Sequence, residues 1–231
     1  MQQRIFLFGI LLIVSSLIAA CGEAEAPMPT PSVGYELGDV LVQTSFEDAG
    51  GFNTIGVDTL SFGALQFGPS GGEFQAIAPG GGYIWTLNNE NHSNIVMELT
   101  TEVLTPDDPR AIYGVMCRAH PADNGIGYYF LLRGDGYFGI RRGTGDQLLP
   151  LVNWTQHPAI RTARNEVNHW RVVCIDDYLA LYINDQFAGE ARYDWLREGR
   201  AGFAMNGAQD TILGIAYDNL TIWEASLTDT P

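Results

Sequence analysis

Hydrophobic positions along most of this chain recur at every second residue, with no helical period. Short runs rich in Val, Ile, Tyr, Phe and Leu are separated by clusters of Gly, Asn, Asp and Pro, the pattern of half-buried strands joined by turns. The runs at 40–46, 83–87, 94–104, 111–119, 127–133, 137–142, 169–175, 179–185, 199–206 and 212–225 predict strands. The one helical candidate is a turn or two over "YDWLRE", 193–198. So many strands in one domain bury their apolar faces by forming two packed antiparallel sheets. The expected class is an all-β sandwich.

The ends depart from this pattern. Residues 1–4 make a short basic start, and residues 5–20 are a mostly apolar run of 16. As a helix that run spans roughly 24 Å, short of a ~30 Å hydrocarbon core, so a cleaved signal peptide (1–20) is expected rather than a permanent span. "IAAC" at its end resembles a bacterial lipobox, in which the cysteine, here Cys21, becomes the lipidated N-terminus. The proline-rich stretch that follows, within 21–34, reads as a disordered tether. One domain is expected over 35–225, with a short tail at 226–231.

The stretch "YYFLLRGDGYFGIRR", 128–142, contains an Arg-Gly-Asp tripeptide, and Gly134, Gly136 and Gly139 match a dinucleotide fingerprint. That fingerprint needs a helix after its glycines, whereas here an alternating run follows. Asp135-Gly136 between two alternating runs predicts a tight hairpin. "GPSGG", 68–72, matches the nucleophile-elbow spacing but lies between two short β runs, so it too reads as a glycine turn.

Charge narrows the function. With 12 basic residues, every one arginine, against 27 acidic, the net charge is −15, and losing Arg4 with the signal peptide makes it −16. Nucleic-acid binding is disfavoured because it needs basic patches, and adsorption to an anionic membrane is disfavoured too. The expected membrane contact is the lipid alone. The four histidines are scattered without ligand spacing, which argues against a transition-metal site. Carboxylates are plentiful, but none are paired in a recognisable glycosidase motif. Cys117 and Cys174 both lie in strand-like runs, and an exported domain permits a bond between them; two separate buried thiols are the alternative.

Aromatic residues make up 11% of the chain, and exposed Trp and Tyr stack on sugars while Arg takes hydroxyls or acidic groups. Trp85, Arg118, Tyr129, Tyr137, Arg141 and Trp154 are the candidate ligand-binding residues. Trp154 is expected in a loop and Trp85 beside the triple glycine 80–82, both exposed. Alternation places Trp170 with Val172 and Cys174 on a buried face.

The segments "YGVMCR", "GYYFLLRGDGYFGIRR", "LVNW", "NHWRVVCIDDYLALYIND" and "YDNLTIWEA" resemble the concanavalin A-like lectin/glucanase superfamily, in its laminin-G-like and 3-keto-disaccharide-hydrolase branch. The resemblance covers roughly 94–224, and departs from the pattern at Asp185 and Tyr217. It implies a two-sheet jelly roll with a glycan-binding face or rim, and it strengthens the Cys117–Cys174 pairing. Some relatives hold structural calcium with an early-strand acid and a final-strand aspartate, here Glu47 and Asp218. No catalytic residue of the branch maps onto this chain. The expected function is a lipid-anchored, extracytoplasmic, non-catalytic module that binds or senses polysaccharide, with glycoside cleavage as the alternative.

Overall fold

The protein was analysed as a computed structural model that describes residues 29–53, 55–60, 63–105, 107–122 and 124–228, with side chains for all of these except 55–60 and 63–66. The predicted signal peptide and Cys21 therefore lie outside the described residues. Fifteen strands follow one another: β1 (Gly34–Thr44), β2 (Ile55–Leu60), β3 (Gly63–Ser70), β4 (Glu73–Pro79) and β5 (Ile84–His92). Next come β6 (Ile95–Val103), β7 (Ile112–Ala119), β8 (Ile126–Arg133), β9 (Tyr137–Thr144) and β10 (Leu148–Gln156). The last are β11 (Val167–Ile175), β12 (Tyr178–Ile183), β13 (Gln186–Arg192), β14 (Gly199–Asn206) and β15 (Ile212–Thr228).

They form two antiparallel sheets, the sandwich expected from the alternation. The nine-stranded sheet runs β13-β12-β11-β6-β15-β4-β3-β2, with β1 also paired to β15; the six-stranded sheet runs β10-β9-β8-β7-β14-β5. The core between them is aromatic-rich. Phe203 stacks on Phe52 at 4.5 Å and on Tyr217 at 4.1 Å between ring centroids. Trp170 is buried, as its period predicts, and donates its indole N–H to Thr101 Oγ1 at 2.8 Å, which satisfies the one polar atom it carries inside. Cys117 on β7 is bonded to Cys174 on β11, so the disulfide ties one sheet to the other.

Turn chemistry sets the hairpins. Arg133 pairs with Tyr137 across the β8–β9 turn, where Gly136 at φ +85° takes the left-handed position that the Asp-Gly signal predicted. The tripeptide's two charged ends bind each other, Arg133 Nε and Nη2 donating to Asp135 at 2.6 and 2.7 Å. "GPSGG" is the β3–β4 hairpin, with Ser70 paired to Glu73 around Gly71 and Gly72, both at positive φ. No helix follows that serine.

Some expectations need correction. Residues 193–198 are irregular and not helical. The Tyr128 hydroxyl accepts the N–H groups of Trp195 and Leu196 and donates to the Tyr193 carbonyl, so a core side chain takes the bonds a helix would make internally. Strands β2, β10 and β13 were not predicted, and β3 and β4 were expected only as two short β runs without bounds. β4 alternates cleanly, but with Ala76 and Ala78 at two of its inward positions, and alanine carries little strand signal. β10 contains Pro150, which is tolerated because β10 is the sheet's edge.

Candidate functional site

The outer face of the six-stranded sheet carries the site. Along β8, Tyr128, Phe130 and Leu132 enter the core, so Tyr129 and Leu131 face out. The same alternation turns Trp85 and Leu87 of β5, Met116 of β7 and Ala204 of β14 outward. Trp85 pairs with Ala204, Ala204 with Gly114, Gly114 with Leu131, and Leu131 with Gly139. Trp154 lies over the last of these; a Cβ on Gly139 would sit 3.3 Å from its Cε3. Two tryptophans thus bound a row in which three of the four intervening residues are Ala or Gly, and none of the four lines open space.

Beside the two tryptophans lies a groove of about 510 Å³ lined by Tyr83, Trp85, Tyr129, Arg141, Gln147 and Trp154 among others. Trp85 and Trp154 are half-buried, with part of each ring open to solvent. Trp85 reaches as far as the β7–β8 loop, where Gly125 at φ +76° leaves its Cη2 only 3.3 Å from the position of an added Cβ. Tyr129 forms the floor. It is buried, it donates its hydroxyl to the Gly125 carbonyl at 2.9 Å, and its ring meets Tyr83 edge-on at 6.4 Å. Arg141 places its guanidinium 4.6 Å from the Trp154 ring centroid. Burial lowers the Arg141 pKa, Tyr83 opposes that, and the nearby Arg133 adds to it. Burial raises the Tyr83 pKa, with Arg141 opposing.

Of the six candidate ligand residues, Trp85, Tyr129, Arg141 and Trp154 converge on this groove. Trp154 is in β10 and not in a loop, which corrects the expectation; the edge strand holds it over Gly139. Tyr137 lies beyond the groove's lining and carries the Arg133 guanidinium 4.5 Å above its ring. Arg118 is not a ligand residue. It is 1% exposed, and its guanidinium donates to the carbonyls of Ser93, Asp176, Leu196 and Cys174 and to Asn94 Oδ1. A side chain with its donors taken inside has nothing to offer a glycan. Tyr83 was missed, although the period Tyr83-x-Trp85-x-Leu87 carries the signal. Gln147 and Asp146 lie in the β9–β10 turn, and no local pattern in the sequence marks them.

Glu47 is exposed in a second, larger cleft of about 1040 Å³, at the end of the sandwich where Asp48, Asn88, Asn89, Glu90 and Asn219 also lie. Asp218 does not line it. Its carboxylate accepts the backbone N–H of Asn219 at 2.6 Å and the Asn219 side-chain amide at 2.9 Å, at a bulge in β15. Among the described residues no group of three or more potential ligands gathers around either acid, so the calcium pair implied by resemblance does not fit this geometry.

No protein-family model and no curated protein matches the chain. Solved structures do match its fold. The carbohydrate-binding module CBM66 from Bacillus subtilis aligns with a TM-score of 0.55 at 15% identity, covering 76% of this chain and 95% of the module. A Bacillus subtilis protein of unknown function with a galectin-like fold gives 0.58 at 10% identity, covering 83% and 99%. The Bacillus licheniformis beta-glucanase gives 0.56 at 11%, covering 82% and 99%. At such identities the likeness is one of fold: the chain is a concanavalin A-like jelly-roll sandwich.

Proposed function

We propose that this protein is a carbohydrate-binding module held at the outside of a bacterial membrane by a lipid on Cys21, and that it binds without cleaving. The observation that carries the reading is the convergence of Tyr83, Trp85, Tyr129, Trp154 and Arg141 on one groove, aromatic surface beside a fork of donors. Such pockets orient a ligand with a few polar groups on an apolar bed. The groove's lining holds one carboxylate, Asp146, where hydrolysis by the common route uses two. The fold shared with a carbohydrate-binding module supports the ligand class. Aromatic stacking adds about 1 kcal/mol per ring beyond burial, so a few contacts give micromolar to millimolar affinity, on the order of other weak sites. The test is affinity electrophoresis of the full chain in detergent against a panel of polysaccharides. Retardation by at least one of them, lost in Trp85→Ala, is expected; no retardation by any overturns the reading. For the anchor, Cys21→Ser is expected to release the protein or leave the precursor uncleaved, and unchanged membrane fractionation of that variant counts against lipidation.

One observation favours glycoside cleavage instead. The larger cleft brings Glu47, Asp48 and Glu90 to one opening, and a beta-glucanase shares the fold. Release of reducing sugar or of a 3-keto-sugar at a rate proportional to protein, abolished by Glu47→Gln or Glu90→Gln, would establish it.

A further inference from the structure

The chain's net charge of −15 gives every arginine an excess of carboxylates to pair with. Arg110, Arg133 and Arg192 each take one, and Arg171 and Arg197 each take two. Arg118 and Arg161 bond to backbone carbonyls. Arg141 does neither: its guanidinium has no hydrogen bond or ion pair to any described residue, and its Nε is buried without a partner. Arg142, Arg164 and Arg200 also lack an ion pair, but none of them lines the groove.

Arg141 is half-buried, and its Nε, shut off from water with no acceptor, is unfavourable, which the Trp154 ring beneath it offsets only in part. The nearest cation, Arg133, is already neutralised by Asp135, and it sits over the Trp154 ring at 5.2 Å. The groove therefore presents one unpaired positive charge at its wall, in a chain whose net charge is −15. Asp146 lines the same groove from the β9–β10 turn, where its carboxylate accepts the Thr144 hydroxyl at 3.0 Å and does not pair with Arg141. A planar carboxylate meets the guanidinium fork through two charge-assisted bonds, which a neutral hydroxyl does not match.

We propose that the groove selects an acidic sugar residue, a uronic acid whose carboxylate pairs with Arg141 while its ring packs against Trp85 and Tyr83. This rests on the reading of the groove as a saccharide site. Arg141 supplies the attraction, and Asp146 at the rim opposes any acidic group that is out of register, so the pair acts as a filter for where the charge lies.

The experiment measures dissociation constants of the full chain in detergent for three probes: polygalacturonate, the same polymer with its carboxyls reduced to alcohols, and a sulfated galactan. Native polygalacturonate is expected to bind at least about tenfold more tightly than its reduced form. Arg141→Gln is expected to erase that difference, Arg141→Lys to keep part of it, and Asp146→Asn to increase it. A merely structural role for Arg141 would weaken both polymers alike, which would overturn the proposal. Equal affinity of the wild-type protein for the native and reduced polymers would overturn it too, while leaving the groove a saccharide site. Binding of the sulfated polymer alone would overturn the carboxylate assignment. If none of the three binds and the wider polysaccharide panel is also negative, the saccharide reading fails and this inference falls with it.

Discussion

Arg118 Nη1 donates to the Asp176 carbonyl oxygen at 2.6 Å, beside the Cys117–Cys174 bridge that joins the sheets. Each of these two residues follows a bridged cysteine closely in sequence, and both have φ +49°. The guanidinium lies between three chain segments and donates to the carbonyls of Ser93, Cys174, Asp176 and Leu196.

Arg118→Ala is therefore expected to destabilise the fold by about 3 kcal/mol or more, since several partly buried acceptors lose their donor together. Arg118→Lys is expected to recover little of it, because a point charge cannot reproduce the fork. Urea unfolding of the two variants checks this, and a loss under 1 kcal/mol for Arg118→Ala would contradict it.

The bridge itself closes a loop of 57 residues. On the chain-entropy account, removing it costs about 4 kcal/mol. Cys117→Ala/Cys174→Ala is expected to lower the urea midpoint by that equivalent while leaving glycan binding intact in the folded fraction. Both thiols found free by mass mapping of non-reduced protein would contradict the bond.

Two tryptophans are expected to separate binding from stability. Trp85→Ala removes a half-buried groove wall, so saccharide affinity falls about tenfold while stability changes by about 1 kcal/mol or less. Trp170→Ala hollows the core and orphans the Thr101 contact, costing about 3–5 kcal/mol. If Trp85→Ala unfolds the protein instead, the ring is core and not platform.

Burial lowers the pKa of His157, with the Phe187 backbone opposing, and burial lowers that of His92, with Glu90 opposing. Both rings therefore bind protons less readily when folded than when unfolded, where the pKa is about 6.5. Below that value the unfolded chain takes up more protons, so these residues' contribution is complete above about pH 6.5 and is lost as pH falls through their folded values. Acidification also relieves the chain's negative charge, so the comparison is made against His157→Asn. The wild type is expected to lose more stability than this variant between pH 7.5 and 5.5. Parallel pH profiles would contradict the assignment.

How much of this was legible varies by residue. Trp170 was read correctly because strand alternation depends only on neighbours two positions away. Arg118 was misread because its positive φ and five acceptors come from segments 24 to 78 residues distant. Nothing near "CRAH" distinguishes a core guanidinium from a ligand-binding one. Trp154 looked like a loop residue because Asn153 and the following polar positions break the alternation, and the bulges that accommodate them in β10 are set by pairing with β9.

Local pattern and composition alone determined the all-β class, the two-sheet packing, the hairpin at Asp135-Gly136, the acidic surface and the buried Trp170. All follow from side-chain period, turn residues and charge, which are properties of short stretches. Only the tertiary structure decided that Trp85, Tyr83, Tyr129, Arg141 and Trp154 share one groove and that Arg118 does not belong to it. Trp85, Tyr129, Arg141 and Trp154 come from strands β5, β8, β9 and β10, and Tyr83 immediately precedes β5. Which outward positions become neighbours depends on the strand order and on the register of each ladder. Both are set by long-range hydrogen bonding across the sheet, so no local sequence period encodes them.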